Sequence, residues 1–201
     1  SGGEDGFVAK VDADLTALLA ATFLGGSSGI EEAWGLSVDE TGNVYVAGFT
    51  GSHNFPTTPG TAREAYNGGL TDAFVSKFDN DLQNLLASTF LGGRGEDRAL
   101  AMAVVRLAVV SAEGVYVTGY TRSRDFPNTV RPCCADHEWI AAGADVFVTR
   151  LRADLGRVLD SAVLGGRGAD RGYAIAAGGF DPGFSTGSPV IVVSGCAGRP
   201  P

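Results

Sequence analysis

Asp72–Gly93 reads DAFVSKFDNDLQNLLASTFLGG, and the chain writes this stretch three times. Asp5–Gly26, DGFVAKVDADLTALLAATFLGG, matches it at 15 of 22 positions, and Asp145–Gly166, DVFVTRLRADLGRVLDSAVLGG, at 10 of 22. The offsets are 67 residues (72 − 5) and 73 residues (145 − 72). Self-similarity at a long period marks a repeat architecture, and it outranks any local reading of the same residues. The repeats run approximately over 5–71, 72–144 and 145–201, within a single repeat domain spanning 1–201.

Inside each copy the first question is helix or strand. Phe7–Val11 alternates in period two, as a strand does. Leu15, Leu18, Leu19 and Thr22 would make a helix face behind an Asp14 cap. The third copy decides against it, because Gly156–Val163 loses that stripe and opens on a helix breaker. A strand over Ala17–Leu24 satisfies all three versions. The first half of each repeat is therefore a hairpin.

A second hairpin follows. Ala33–Val38 and Val44–Thr50 (VYVAGFT) flank the turn residues Asp39–Asn43. Their counterparts are Ala101–Val110 with Val115–Thr121 (VYVTGYT), then Tyr173–Ala177 with Val190–Gly195 across an inserted Phe180–Ser188. The long connections Gly51–Thr71 and Arg122–Ala144 open with Phe55-Pro56 and Phe126-Pro127. Proline cannot continue a central strand, so these are loops. A recurrent Phe in a polar loop is expected to be a buried anchor, and loops of this length are where binding surfaces usually sit. The expectation is all-β, with no helix longer than two turns.

Four short strands per repeat is the content of one propeller blade. The runs DAFVSKF, STFLGG, GNVYVAGFT and NFPTTPG resemble the bacterial β-propeller repeats called SBBP repeats. The likeness spans about Asp5 to Gly195, and the third copy departs from it: it lacks the Gly-Asn turn and carries the insertion. The resemblance implies a β-propeller of four-stranded blades and an exported or cell-surface location, and it brings no catalytic residues. The strand count predicts an outer half-blade at Phe7–Leu24, two full blades, and an inner half-blade ending at Gly195. Such an arc is expected to be part of a larger or oligomeric ring rather than a closed monomer, because propellers close with about four to eight blades. The chain opens inside a repeat-type loop, as a mature or excised piece would.

Composition narrows the partners. A formal charge of −8 and a pI near 4.7 argue against nucleic acid, whose phosphates demand a basic face. The most apolar run, Ala99–Val110, carries Arg106 and falls short of the roughly 20 residues of a membrane span. Thirty glycines suit many tight turns.

Candidate chemistry is sparse. Asp12/Asp14 and Asp79/Asp81 begin like a calcium loop but lack its full spacing, and turn carboxylates cap backbone amides without a metal. No cofactor is expected, with calcium as the alternative. Glu31/Glu32, Glu96/Asp97 and Asp170 recur after the double glycine. They read as solvated turn residues, with a ring of carboxylates as the alternative. The loop Cys133-Cys134-Ala135-Asp136-His137-Glu138 lacks the ligand spacing of a structural zinc site. A disulfide from Cys133 or Cys134 to Cys196 is the stronger expectation. His53 and His137 fall in no hydrolase motif. Trp34 reads as core.

The functional expectation is a non-catalytic structural or protein-interaction module, with other protein subunits or the rest of a longer propeller as partners. Phe55, Phe126, Trp139 and Tyr66 are the candidate loop and interaction residues. A carbohydrate-binding module using Trp139, Tyr66 and acidic loops is the alternative. A fragment of a propeller enzyme is a further one.

Overall fold

The computed structural model describes residues 3–107, 112–129, 143–166, 168–178 and 190–197. It is all-β. Twelve strands run through the described residues: β1 (Gly6–Val11), β2 (Leu18–Leu24), β3 (Glu31–Val38), β4 (Val44–Thr50), β5 (Asp72–Phe78), β6 (Leu85–Leu91), β7 (Asp97–Leu107), β8 (Ala112–Thr121), β9 (Asp145–Arg152), β10 (Val158–Leu164), β11 (Arg171–Gly178) and β12 (Val190–Cys196). Both windows that could have been helical, Leu15–Leu24 and Ala99–Val110, are extended wherever they are described, apart from the turn before β2.

The strands form two four-stranded antiparallel sheets, β3-β4-β5-β6 and β7-β8-β9-β10, and two two-stranded ones, β1-β2 and β11-β12. Every sequential pair within a sheet is antiparallel, and no sheet closes on itself among the described residues. Each full sheet takes its first two strands from one sequence repeat and its last two from the next. The structural unit is thus half a repeat out of phase with the sequence unit.

Why β4 and β5 read as near-continuous apolar runs is now plain: both lie inside a sheet covered on both faces. All seven residues of β4 are buried. One core joins Val8 and Leu24 of the first hairpin to Val44, Val46, Phe74, Phe78 and Phe90. A second joins the opposite face of that sheet (Tyr45, Ala47, Ala73, Val75) to Met102, Val117, Phe147 and Leu151 of the next. Strand β3 packs on β7, and β11 on β7 and β8, so the sheets stack in chain order.

The glycine inside VYVAGFT is a close-approach residue. Each first strand carries a register shift, at Ala33/Gly35, Ala99/Ala101 and Gly172/Ala174. The shift pushes a carbonyl across the ladder: a methyl at Gly48 would stand 1.9 Å from the carbonyl oxygen of Glu32, and one at Gly119 the same from Arg98.

Candidate functional site

The recurrent acids are the first surprise. Expected on a solvated turn, Glu31, Asp97 and Asp170 are buried instead, while Glu32 and Glu96 are half-buried. Asp97 accepts the Thr121 hydroxyl on Oδ1 at 2.5 Å, and on Oδ2 the Ser123 hydroxyl at 2.6 Å and the Gly93 amide at 2.7 Å. Glu31 repeats the pattern with the Thr50 hydroxyl at 2.7 Å and the Gly26 amide at 3.3 Å. Asp170 accepts the Gly166 amide at 2.7 Å. Each carboxylate ties the end of one sheet's last strand to the start of the next sheet and, for the first two, to the end of that sheet's second strand; Asp97 also reaches the loop beyond it at Ser123. Buried amides and hydroxyls need partners, and a carboxylate offers up to four acceptor sites. These acids clasp one sheet to the next. They do not line an open ring. Their neighbour Glu96 is held by Arg98 and Arg122, each at 2.9 Å, and by the Tyr120 hydroxyl at 2.9 Å.

Beside the Asp97 clasp lies a second buried carboxylate, Asp72 at the head of β5. Its Oδ2 accepts the Asn67 amide at 2.6 Å, while Oδ1 has no hydrogen-bond partner among the described residues. Burial pushes Asp72 up to about 7, opposed by the Asn67 amide and reinforced by Asp97. Burial raises Asp97 as well, against its three hydrogen bonds. A methyl at Gly92 would stand 2.8 Å from an oxygen of each acid, which explains the first glycine of LGG. Asp5 with Glu31 crowds Gly25 in the same manner.

The Phe-Pro loops are anchored alike. Phe55 is 3% exposed and Phe126 5%. Phe55 packs on Phe74 at 4.4 Å between centroids, and Phe126 on Phe147 at 4.7 Å. Three residues beyond each Phe, a threonine pins the loop along the outer strand: Thr58 donates its amide to Ser88 at 3.1 Å, and Thr129 to Ser161 at 3.0 Å. In return the Ser88 and Ser161 amides donate to the threonine hydroxyls at 3.0 and 2.7 Å. The loops therefore cap the outer edges of β6 and β10, which would otherwise offer unpaired backbone groups. Sequence reasoning missed this; the signal was the threonine shared by NFPTT and DFPNT.

Tyr66 is held in the same loop. Its ring stacks on His53 at 4.4 Å, meets Phe90 edge-on at 5.8 Å, and its hydroxyl donates to the Gly69 carbonyl at 3.2 Å. It is a packed loop residue. Trp139, His137, Cys133 and Cys134 lie outside the described residues, so the expected bridge to Cys196 lies there too. Cys196 is exposed, its Sγ 3.8 Å from the Tyr173 hydroxyl.

At the turns suggested for calcium, Asp12 accepts the amides of Thr16 at 2.7 Å and Ala17 at 3.0 Å, and Asp79 those of Gln83 and Asn84 at 2.9 and 3.2 Å. Hydrogen bonds, led by Thr16 and Asn84, hold both carboxyls below the usual range. No group of three or more ligand residues gathers around a common point among the described residues. No described helix is long and apolar enough to cross a membrane.

Trp34 is a correction. It is not core but 59% exposed, its indole N–H donating to Glu32 at 2.9 Å. The reason is local: Trp34 is the extra residue of the register shift between Ala33 and Gly35, on the edge strand β3. Leu36 and Val38 share that exposure. Phe7, Leu18 and Phe23 stand out from β1–β2, and Tyr173 and Val192 from β11–β12. Large apolar side chains gathered on the open faces of sheets mark interaction sites. Comparison with known proteins attaches no family to this surface: no family model matches the chain, and no curated protein matches it.

Proposed function

We propose that this chain is a non-catalytic protein-interaction module, a β-propeller segment of the SBBP-repeat kind within an exported or cell-surface assembly. The observation that carries the reading is the pair of exposed apolar faces, Phe7–Phe23 with Trp34–Val38 at one end of the stack and Tyr173 with Val192 at the other. The counterparts of Phe7 (Phe74 and Phe147), of Val192 (Tyr45 and Tyr116) and of Leu36 (Met102) are buried inside the molecule, and the terminal sheets leave theirs for another body to cover. The repeated four-stranded sheets stacked in chain order support the propeller part, and the resemblance of DAFVSKF, STFLGG and GNVYVAGFT to exported repeats supports the location.

The test is a triple variant, Phe7→Ser, Trp34→Ser and Leu36→Ser, measured for folding and for association. The module reading expects a urea midpoint close to that of the parent, because exposed side chains add little to the fold, together with loss of self- or partner association in light scattering. A parent chain that is already an inert monomer, binding no hydrophobic dye, would refute it.

A further inference from the structure

The two half-sheets are complementary. Among the described residues, strand β1 pairs only with β2, whereas its sequence counterparts β5 and β9 carry strands on both edges. Among them strand β12 likewise pairs only with β11, whereas β4 and β8 continue to β5 and β9. The junction each half lacks is therefore formed twice inside this chain, as β4–β5 and as β8–β9. Burial shows where the absent piece belongs. Leu36 is 56% exposed, while Met102, its counterpart in β7, is 7% exposed beneath the preceding hairpin β3–β4. The gap beside β1 and in front of β3 has the place and the chemistry of a seat for a hairpin of the β3–β4 type.

We propose that this seat takes the β11–β12 hairpin of a second copy of this chain, completing a four-stranded sheet β11-β12-β1-β2 across the two molecules. This deepens the interaction-module reading and rests on it. The register follows from the junctions already present. Gly48 faces Phe74 and Gly119 faces Phe147, so Gly195 of the second copy faces Phe7. A side chain at Gly48 would collide with the Phe74 ring at 3.0 Å, and Gly195 keeps that position clear for Phe7. Phe49 faces Ala73 and Tyr120 faces Val146, so Cys196 of the second copy faces Gly6. Strand addition of this kind satisfies the open backbone edge of both strands at once. It is head-to-tail, so two copies that meet reciprocally fill both seats.

The test uses the 201-residue chain with Cys133→Ser and Cys134→Ser, leaving Cys196 as the native thiol. Gly6→Cys in this background, mildly oxidised, should give a disulfide to Cys196 between molecules, seen as a species of about twice 20.6 kDa on non-reducing gels and as mixed-isotope crosslinked peptides. Cross-strand Cα separations fall in the range a disulfide needs. Ala9→Cys, displaced along the strand, should give less than a tenth of that product. Amide exchange on the unsubstituted chain avoids any folding defect of the variant: amides of Phe7–Val11 should slow at least tenfold as protein concentration rises. Concentration-independent exchange, or a link within one molecule, would overturn the proposal. Association that persists with no Gly6→Cys product would overturn it too, while leaving the interaction-module reading standing.

Discussion

Phe126 lies on Phe147 with ring centroids 4.7 Å apart and planes 30° from parallel, and Phe55 lies on Phe74 at 4.4 Å and 32°. Each pair joins a loop ring to a strand ring at the same repeat position. The first copy has the strand ring, Phe7, with no described loop ring on it, and Phe7 is 67% exposed. Truncation should follow this difference. Phe55→Ala and Phe126→Ala are each expected to cost about 3–5 kcal/mol, the usual loss for a buried Phe. Phe7→Ala should cost under about 0.5 kcal/mol in the dissociated chain. Urea unfolding at low protein concentration measures all three, and equal losses would mean that burial does not distinguish the copies.

The fold class was legible because three imperfect copies constrain one another. A helix at Leu15–Leu24 was plausible until Gly156 and Asp160 occupied the same window. The carboxylate clasp was not legible. Asp97 next to Glu96, after a double glycine, looks like solvent-facing turn chemistry, and its partners Thr121 and Ser123 come from the far end of the hairpin that it opens. Trp34 failed for a related reason: alternation assigns residues to faces, but the register shift between Ala33 and Gly35 takes Trp34 out of that alternation, and the shift shows only once β3 is paired with β4. The chain repeats strands faithfully, and its sheets are cut half a repeat away from the sequence boundary.

Gly92 stands between two buried acids, and a methyl there would approach Asp72 and Asp97 at 2.8 Å each. Neither oxygen is the end of a long flexible chain, so relief requires the strand ends to part. Gly92→Ala is expected to destabilise by about 1–3 kcal/mol, the usual penalty for overpacking. Gly166→Ala, where the nearest atom is 3.9 Å away, should be close to neutral. Thermal melts of the two variants side by side check the contrast.

Leu15, Leu82 and Leu155 occupy the same turn position with φ of 58°, 56° and 58°. A left-handed conformation costs a non-glycine residue about 1–2 kcal/mol. Leu82 and Leu155 are buried in the two cores, which offsets that strain, whereas Leu15 is exposed. Leu15→Gly should therefore be neutral or slightly stabilising, the relieved strain opposing the greater freedom of glycine in the unfolded chain. Leu82→Gly and Leu155→Gly should lose about 2–5 kcal/mol of packing. Denaturant midpoints that fell alike for all three would show that strain is not the controlling factor.

The buried acids give stability an unusual pH dependence. Asp72 is pushed up to about 7 in the fold from an ordinary 3.8, chiefly because burial disfavours its charge. Between those values the folded chain binds a proton that the unfolded chain has released, so stability falls as pH rises from about 4 to 7. The slope approaches about 1.4 kcal/mol per pH unit and flattens above 7. Asp97, raised for the same reason, adds in the same direction. Asp39 acts oppositely: burial raises it, but hydrogen bonds from Thr41 and Asn43 outweigh this and hold it at about 2, so its contribution is lost as pH falls from about 4 to 2. Maximum stability is thus expected near pH 4, below the neutral optimum of most proteins. Asp72→Asn removes the titrating group and should flatten the decline between pH 4 and 7 while sparing the acid limb set by Asp39. Urea unfolding of parent and variant from pH 2 to 8 tests this, and an unchanged slope in the variant would place the proton elsewhere.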